Sequence, residues 1–81
     1  MRIKKLKELL LENNIEAIIV DSPTNVYYLS GFTGTNATLF ITQNTNYLLT
    51  DFRYIEQAEK QTKGFQVIRI DDEPYKKINE L

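Results

Sequence analysis

Two strand-forming runs lie almost back to back in the middle of this chain. Ala37 to Gln43 and Asn46 to Thr50 are rich in β-branched and large apolar side chains, and Gln43-Asn44-Thr45-Asn46 reads as the turn between them. Strands joined this tightly pair antiparallel, because a parallel pair needs a crossover of a dozen or more residues. The period on either side is different. Ile3, Leu6 and Leu10 recur at helical spacing among Lys4, Lys5, Lys7, Glu8 and Glu12, and Asn13-Asn14 is a stop, since Asn tolerates a left-handed helix end. Beyond the hairpin, Asp51 opens a second helical stretch, Phe52 to about Lys63, with Phe52, Ile55 and Ala58 on one side and Gly64 after it.

Shorter segments fill the gaps. Ala17-Ile18-Ile19-Val20 is apolar throughout, which predicts a strand covered on both faces. Ser22 and Pro23 provide a cap and a first helical position for Val26-Tyr27-Tyr28-Leu29, which ends near Ser30-Gly31. Adjacent helix positions diverge by ~100°, so one of the two tyrosine rings is expected in the core and the other outside. Phe65, Val67, Ile68 and Ile70 form another strand, and Asp71-Asp72-Glu73-Pro74 starts a last helix with Tyr75, Ile78 and Leu81 in register. The order α-β-α-β-β-α-β-α mixes a hairpin with crossover helices. It predicts the α/β class, with a mixed β-sheet and helices packed on its faces. The last apolar stripe meets no stop signal, a pattern that fits a natural C-terminus, a cut through a larger domain or a deliberate truncation.

With 81 residues, the chain makes one domain at most. A domain of this size buries only about 60–65% of the surface its unfolded chain exposes, so modest stability is expected. The formal net charge of −1 argues against nucleic acid or an anionic membrane as the main partner. No apolar run approaches the ~20 residues of a membrane span, and the N-terminus lacks a signal-peptide core. Cysteine is absent, which suits a reducing cytoplasm, and Asn36-Ala37-Thr38 is read as a chance glycosylation sequon. Histidine is absent too. A Ser-His-Asp or Cys-His site is therefore impossible, as is a zinc site of the usual histidine-rich kind.

Gly31-x-x-Gly34 lacks the spacing and the Lys-Ser/Thr of a phosphate loop, so the two glycines are read as letting a loop turn tightly and approach something closely. The acids Asp71, Asp72 and Glu73 are read as solvated residues at a helix start. Asp51 is the natural cap of its helix. Arg53, in the first turn, is disfavoured by the helix dipole and calls for a carboxylate or carbonyl partner. Its structural role is to tie the helix start to a neighbouring loop, and its functional alternative is to bind a substrate carboxylate.

Two blocks, Asn25-Val-Tyr-Tyr-Leu-Ser-Gly-Phe-Thr-Gly-Thr-Asn-Ala37 and Leu49-Thr-Asp-Phe-Arg-Tyr-Ile-Glu-Gln-Ala58, together resemble the N-terminal domain of the creatinase/prolidase/aminopeptidase P family. The bacterial Xaa-Pro aminopeptidases and Xaa-Pro dipeptidases are the nearest in pattern. The resemblance implies that 1–81 is a single creatinase-type N-terminal domain, a fragment of a two-domain cytoplasmic metallopeptidase that cleaves before proline. It implies two divalent ions, manganese, cobalt or zinc, in a C-terminal catalytic domain, and none in this chain. It implies a domain inactive by itself that takes part in oligomer assembly and substrate access. Its partners would be its own C-terminal domain, further copies in a homodimer or tetramer, and the peptide substrate. The pocket and interface candidates carried over are Tyr27, Phe32, Thr33, Gly34, Thr35 and Asn36, with Asp51 and Arg53 structural. Tyr27 stands where relatives carry Trp, which bears on pocket size. The other reading is a free-standing interaction module or inactive paralogue that binds through the Phe32 loop.

Overall fold

The computed structural model describes residues 2–81. Four strands, β1 (Ala17–Val20), β2 (Ala37–Thr42), β3 (Asn46–Thr50) and β4 (Gln66–Arg69), form one sheet in the order β1-β2-β3-β4. The first two pairings are antiparallel and β3 with β4 is parallel, so the mixed α/β sheet expected from the hairpin and crossover is what forms. The helices are α1 (Arg2–Glu12), α2 (Pro23–Ser30), α3 (Ile55–Gln61) and α4 (Pro74–Ile78), with a 3-10 turn at Phe52–Tyr54 leading into α3.

Side chains alternate across the sheet, giving it two unequal faces. On the first face Leu39, Ile41 and Leu48 are wholly buried beneath α1, α2 and α3, together with Val26, Phe32 and Ala58. Leu10 of α1 is 3% exposed, and Ile3 and Leu6 pack against the same cluster. The second face carries a smaller cluster in which Ile78 of α4 meets Leu49 and Ile70. The rest of that face is only half covered. Ile19, Phe40 and Tyr47 are cross-strand neighbours on it, and the Phe40 and Tyr47 rings stack at 5.8 Å.

Several sequence expectations change here. β1 is not covered on both faces: it is an edge strand, Ile18 and Val20 pack on the first face, and Ile19 is 40% exposed on the second, where α4 covers only the part around Leu49. Neither tyrosine of α2 is core. Val26 and Leu29 take the inward stripe, leaving Tyr27 and Tyr28 56% and 55% exposed on its flanks. The helix expected over 52–63 is split, because Asp51 caps a 3-10 turn and the α-helix proper ends at Gln61. Ser22 occupies the N-cap position of α2 without a side-chain cap bond. The last helix stops at Ile78, and of its expected stripe Ile78 is buried while Tyr75 and Leu81 are close to half exposed. Asn14, by contrast, takes the left-handed conformation its position suggested, at φ 58°.

Candidate functional site

The two sequence blocks fold into one structure: the second block is the scaffold and the first is the loop it holds. Gly31 ends α2 at φ 83°, a left-handed conformation that suits glycine. The chain then drops Phe32 into the core, 1% exposed. Gly34 lies directly against that ring, and a Cβ there would stand 2.3 Å from Phe32 Cζ. The close approach read from the two glycines is therefore an approach to the chain's own phenylalanine. Phe32 itself does not line a surface pocket, as the candidate set had it, because burial of its ring anchors the loop from beneath.

The polar residues of the loop are bonded by side chains of the second block and by Gln61, three residues beyond it. The Thr33 amide donates to Gln61 Oε1 at 3.0 Å, and its hydroxyl accepts from Gln61 Nε2 at 2.9 Å and Gln57 Nε2 at 3.1 Å. The Thr35 hydroxyl and Tyr54 Oη are 3.1 Å apart. The buried Thr50 hydroxyl donates to the Asn36 carbonyl, and Asn36 Nδ2 donates to Asp51 Oδ2. Tyr54 meets Phe32 edge-on, with ring centres 5.9 Å apart, an arrangement aromatic pairs favour.

Asp51 and Arg53 form the outer corner. Asp51 Oδ1 accepts from the Arg53 amide at 3.0 Å, which is the cap, and the guanidinium returns to both carboxylate oxygens at 2.9 Å. The partner that Arg53 called for is thus the capping residue itself, and the connection to the loop runs through Asp51 to Asn36. The guanidinium also sits 5.1 Å from the Tyr54 ring centre. The Arg53 side-chain hydrogen bond, followed by that of Asn36, holds the Asp51 carboxyl well below the usual carboxylate range, and Asp51 raises Arg53 in return.

The sequence candidates Thr33, Gly34, Thr35, Asn36, Asp51 and Arg53 are therefore brought together, with Tyr27 exposed one helical turn before Gly31. Gly31 N donates to the Tyr27 carbonyl at 2.8 Å, which fixes the backbone relation between the two. Sequence reasoning had no role for Gln57 and Gln61. Their i, i+4 spacing on α3, which puts both amides on one face, was the available signal.

No three His, Cys, Asp or Glu side chains converge to hold a metal ion among the described residues. Asp71 pairs with Arg69, Asp72 with Lys76, and Glu73 accepts the Tyr75 and Lys76 amides as the cap of α4. No helix among the described residues is long and apolar enough to cross a membrane.

A mixed four-stranded sheet in this order, with helices on its faces, is the fold of a known domain class. The model of the Creatinase/Prolidase N-terminal domain family matches residues 2–81, and the chain belongs to that family. It is 41% identical over 68 residues to the uncharacterized peptidase YqhT of Bacillus subtilis strain 168, covering 84% of this chain and 19% of that protein. The crystal structure of the aminopeptidase P of Streptococcus thermophilus matches with a TM-score of 0.91 at 39% identity, over 98% of this chain and 61% of that one. The Xaa-Pro dipeptidase of Bacillus anthracis matches with a TM-score of 0.89 at 28% identity, over 96% of this chain and 22% of that one. The chain thus spans about a fifth of the two peptidases and about three fifths of the Streptococcus chain.

Proposed function

We propose that residues 1–81 form the non-catalytic N-terminal domain of a cytoplasmic, metal-dependent Xaa-Pro peptidase, acting in substrate access and oligomer assembly. The observation that supports this best is the buttressed loop. Thr33, Thr35 and Asn36 are held by Thr50, Asp51, Tyr54 and Gln57 of the second block and by Gln61 just beyond it, while Tyr27 stands exposed in the preceding helix. A loop fixed in this way presents the same edge to every ligand, which is what a pocket wall requires. Tyr27 and the loop would border the approach of a peptide to a catalytic domain beyond this chain, and Asp51 and Arg53 would keep that border in place. The two divalent ions, manganese, cobalt or zinc, would belong to the catalytic domain. A homodimer or tetramer would place the border near the active site.

The purified 81-residue chain, supplied with Mn²⁺ or Co²⁺, is expected to hydrolyse no Xaa-Pro peptide. Metal-dependent turnover that co-elutes with it would overturn the reading. In a polypeptide that also carries the catalytic domain, Tyr27→Ala is expected to lower kcat/KM for Xaa-Pro peptides by about tenfold, roughly 1.4 kcal/mol of transition-state stabilisation, with an unchanged melting temperature. An unaltered kcat/KM would remove Tyr27 from the proposal.

A further inference from the structure

The loop site uses one end of the helix-covered face. A groove of about 1020 Å³ adjoins it, sharing Gly31 and Gln61 with the loop site and extending between α1, the ends of α2 and α3, and the entry to β4. Its walls include Ile3, Leu11, Leu29 and Phe65, and Leu11 is 68% exposed. A leucine left that far in water next to a concave apolar surface is poorly placed for an isolated domain.

The charge around the groove is the decisive observation. Arg53, Lys60, Arg69, Lys76 and Lys77 each have a carboxylate partner. Among the cations whose side chains are described, those without one are Lys4, Lys5, Lys7 and Lys63, and Lys4, Lys7 and Lys63 line the groove. Glu8 is the only acid among the lining residues, and Lys7 Nζ is turned to the Gln43 carbonyl at 3.3 Å. In a chain of net charge −1, three unpaired lysines thus surround one apolar hollow. The groove also holds an unmet acceptor: Asn46 lines it, and Asn46 Oδ1 is buried without a hydrogen-bond partner. Such an acceptor is costly to leave unmade and would be satisfied by an N–H entering the groove.

We infer that this groove is a docking site for an acidic amphipathic peptide segment of a partner protein. Apolar anchors of the segment would lie against Leu11, Leu29 and Phe65, with its carboxylates meeting Lys4, Lys7 and Lys63. The size favours a peptide, because small-molecule pockets are mostly about 300–1,000 Å³ and this groove stands at the top of that range. One face of an amphipathic helix laid into an apolar groove is a common recognition mode.

The test is fluorescence anisotropy of the 81-residue chain with a labelled 14-residue helical peptide, leucine at i, i+3, i+4 and i+7 and glutamate elsewhere. The control peptide carries lysine in place of glutamate. Saturable binding of the glutamate peptide is expected, with the lysine peptide at least tenfold weaker. The doubly reversed Lys4→Glu/Lys63→Glu chain should bind the glutamate peptide at least tenfold more weakly, as should the wild type when salt rises from 50 to 500 mM. Leu11→Ala, at an exposed position, is a second variant that should weaken binding several-fold without unfolding the chain. Equal affinity for both peptides, indifference to all of these changes, or no binding at 1 mM peptide would overturn the proposal. So would decanoate binding in the groove without the peptide, which would make it a site for small anionic amphiphiles, or light scattering that shows the groove occupied by a second copy of the chain.

Discussion

The two faces of the sheet are built from the same four strands and end up very differently. The first face has three helices over it, and its central residues Leu39, Ile41 and Leu48 are fully buried. The second has the five-residue α4, which covers Leu49 but leaves Ile19 40% exposed and Phe40 and Tyr47 only partly buried. The loop site grows out of the first face. Phe32 belongs to that face's core, Ala58 of α3 is buried there, and Thr50 reaches from β3 to the Asn36 carbonyl. The contrast teaches that the well-packed face does two jobs, holding the domain together and fixing the loop, while the thin face contributes less of either.

Several measurements would break or sharpen that contrast. The largest effect is expected from Leu48→Ala on the first face, a loss of about 3 kcal/mol by urea unfolding, typical of a fully buried leucine truncated to alanine. In a small domain of modest stability that is a large share of the total. Gly34→Ala comes next. The new methyl would collide with the Phe32 ring, so the ring or the loop must shift, at a cost of about 1–3 kcal/mol on the overpacking scale. Its spectral changes should centre on Phe32 and Tyr54 and spare α4.

On the thin face the numbers should be smaller. Ile78→Ala should cost about 1 kcal/mol, below the usual range for a core isoleucine because few neighbours close around it, and hydrogen exchange should show α4 opening locally. Ile19→Ala should lie within about 0.5 kcal/mol of the wild type. If Ile19→Ala cost as much as Leu48→Ala, the two faces would not differ as described.

The smallest expected effect is electrostatic. The Asp51 carboxyl is held below its ordinary value, chiefly by the Arg53 side chain and then by Asn36. The folded state therefore takes up this proton less readily than the unfolded one. The stabilisation is complete above the ordinary aspartate value of ~3.9 and is lost as the pH falls through the depressed folded value. The stability gap between the wild type and Asp51→Asn should accordingly narrow progressively below about pH 4, and be flat above about pH 5. The opposite sign holds at Tyr75, whose hydroxyl donates to Asp21 Oδ2 at 3.0 Å and is raised by that contact. Its contribution is present below the ordinary tyrosine value and lost as the pH rises through the raised one.

Much of this was legible in the sequence. The hairpin, the crossover, the left-handed Asn14 and the cap at Asp51 all rest on local chemistry that a short window contains. What failed depended on the count of neighbours in space. Ile18-Ile19-Val20 looks the same whether the strand is central or at an edge, and only the strand order leaves Ile19 open. The Tyr27-Tyr28 pair misled for a related reason: Val26 and Leu29 already fill the inward stripe of a short helix. Phe32 is a pocket candidate only through the family resemblance, and it is Gly34, by leaving room for the ring, that lets it turn inward. The resemblance placed the two blocks in the same chain order, yet what joins them, Gln57 on Thr33, Tyr54 on Thr35 and Asp51 on Asn36, needs the three-dimensional arrangement.

The central claim is that the second block and Gln61, the last residue of α3, hold the loop, and amide hydrogen exchange at Thr33 tests it most directly. In the wild type the Thr33 amide, bonded to Gln61 Oε1, should exchange at least tenfold more slowly than a free loop amide. Gln61→Ala should bring it to the rate of an open loop while the amides of Leu39, Ile41 and Leu48 keep their protection. Unchanged Thr33 exchange in Gln61→Ala, or a loss of protection that spreads evenly through the sheet, would contradict the account.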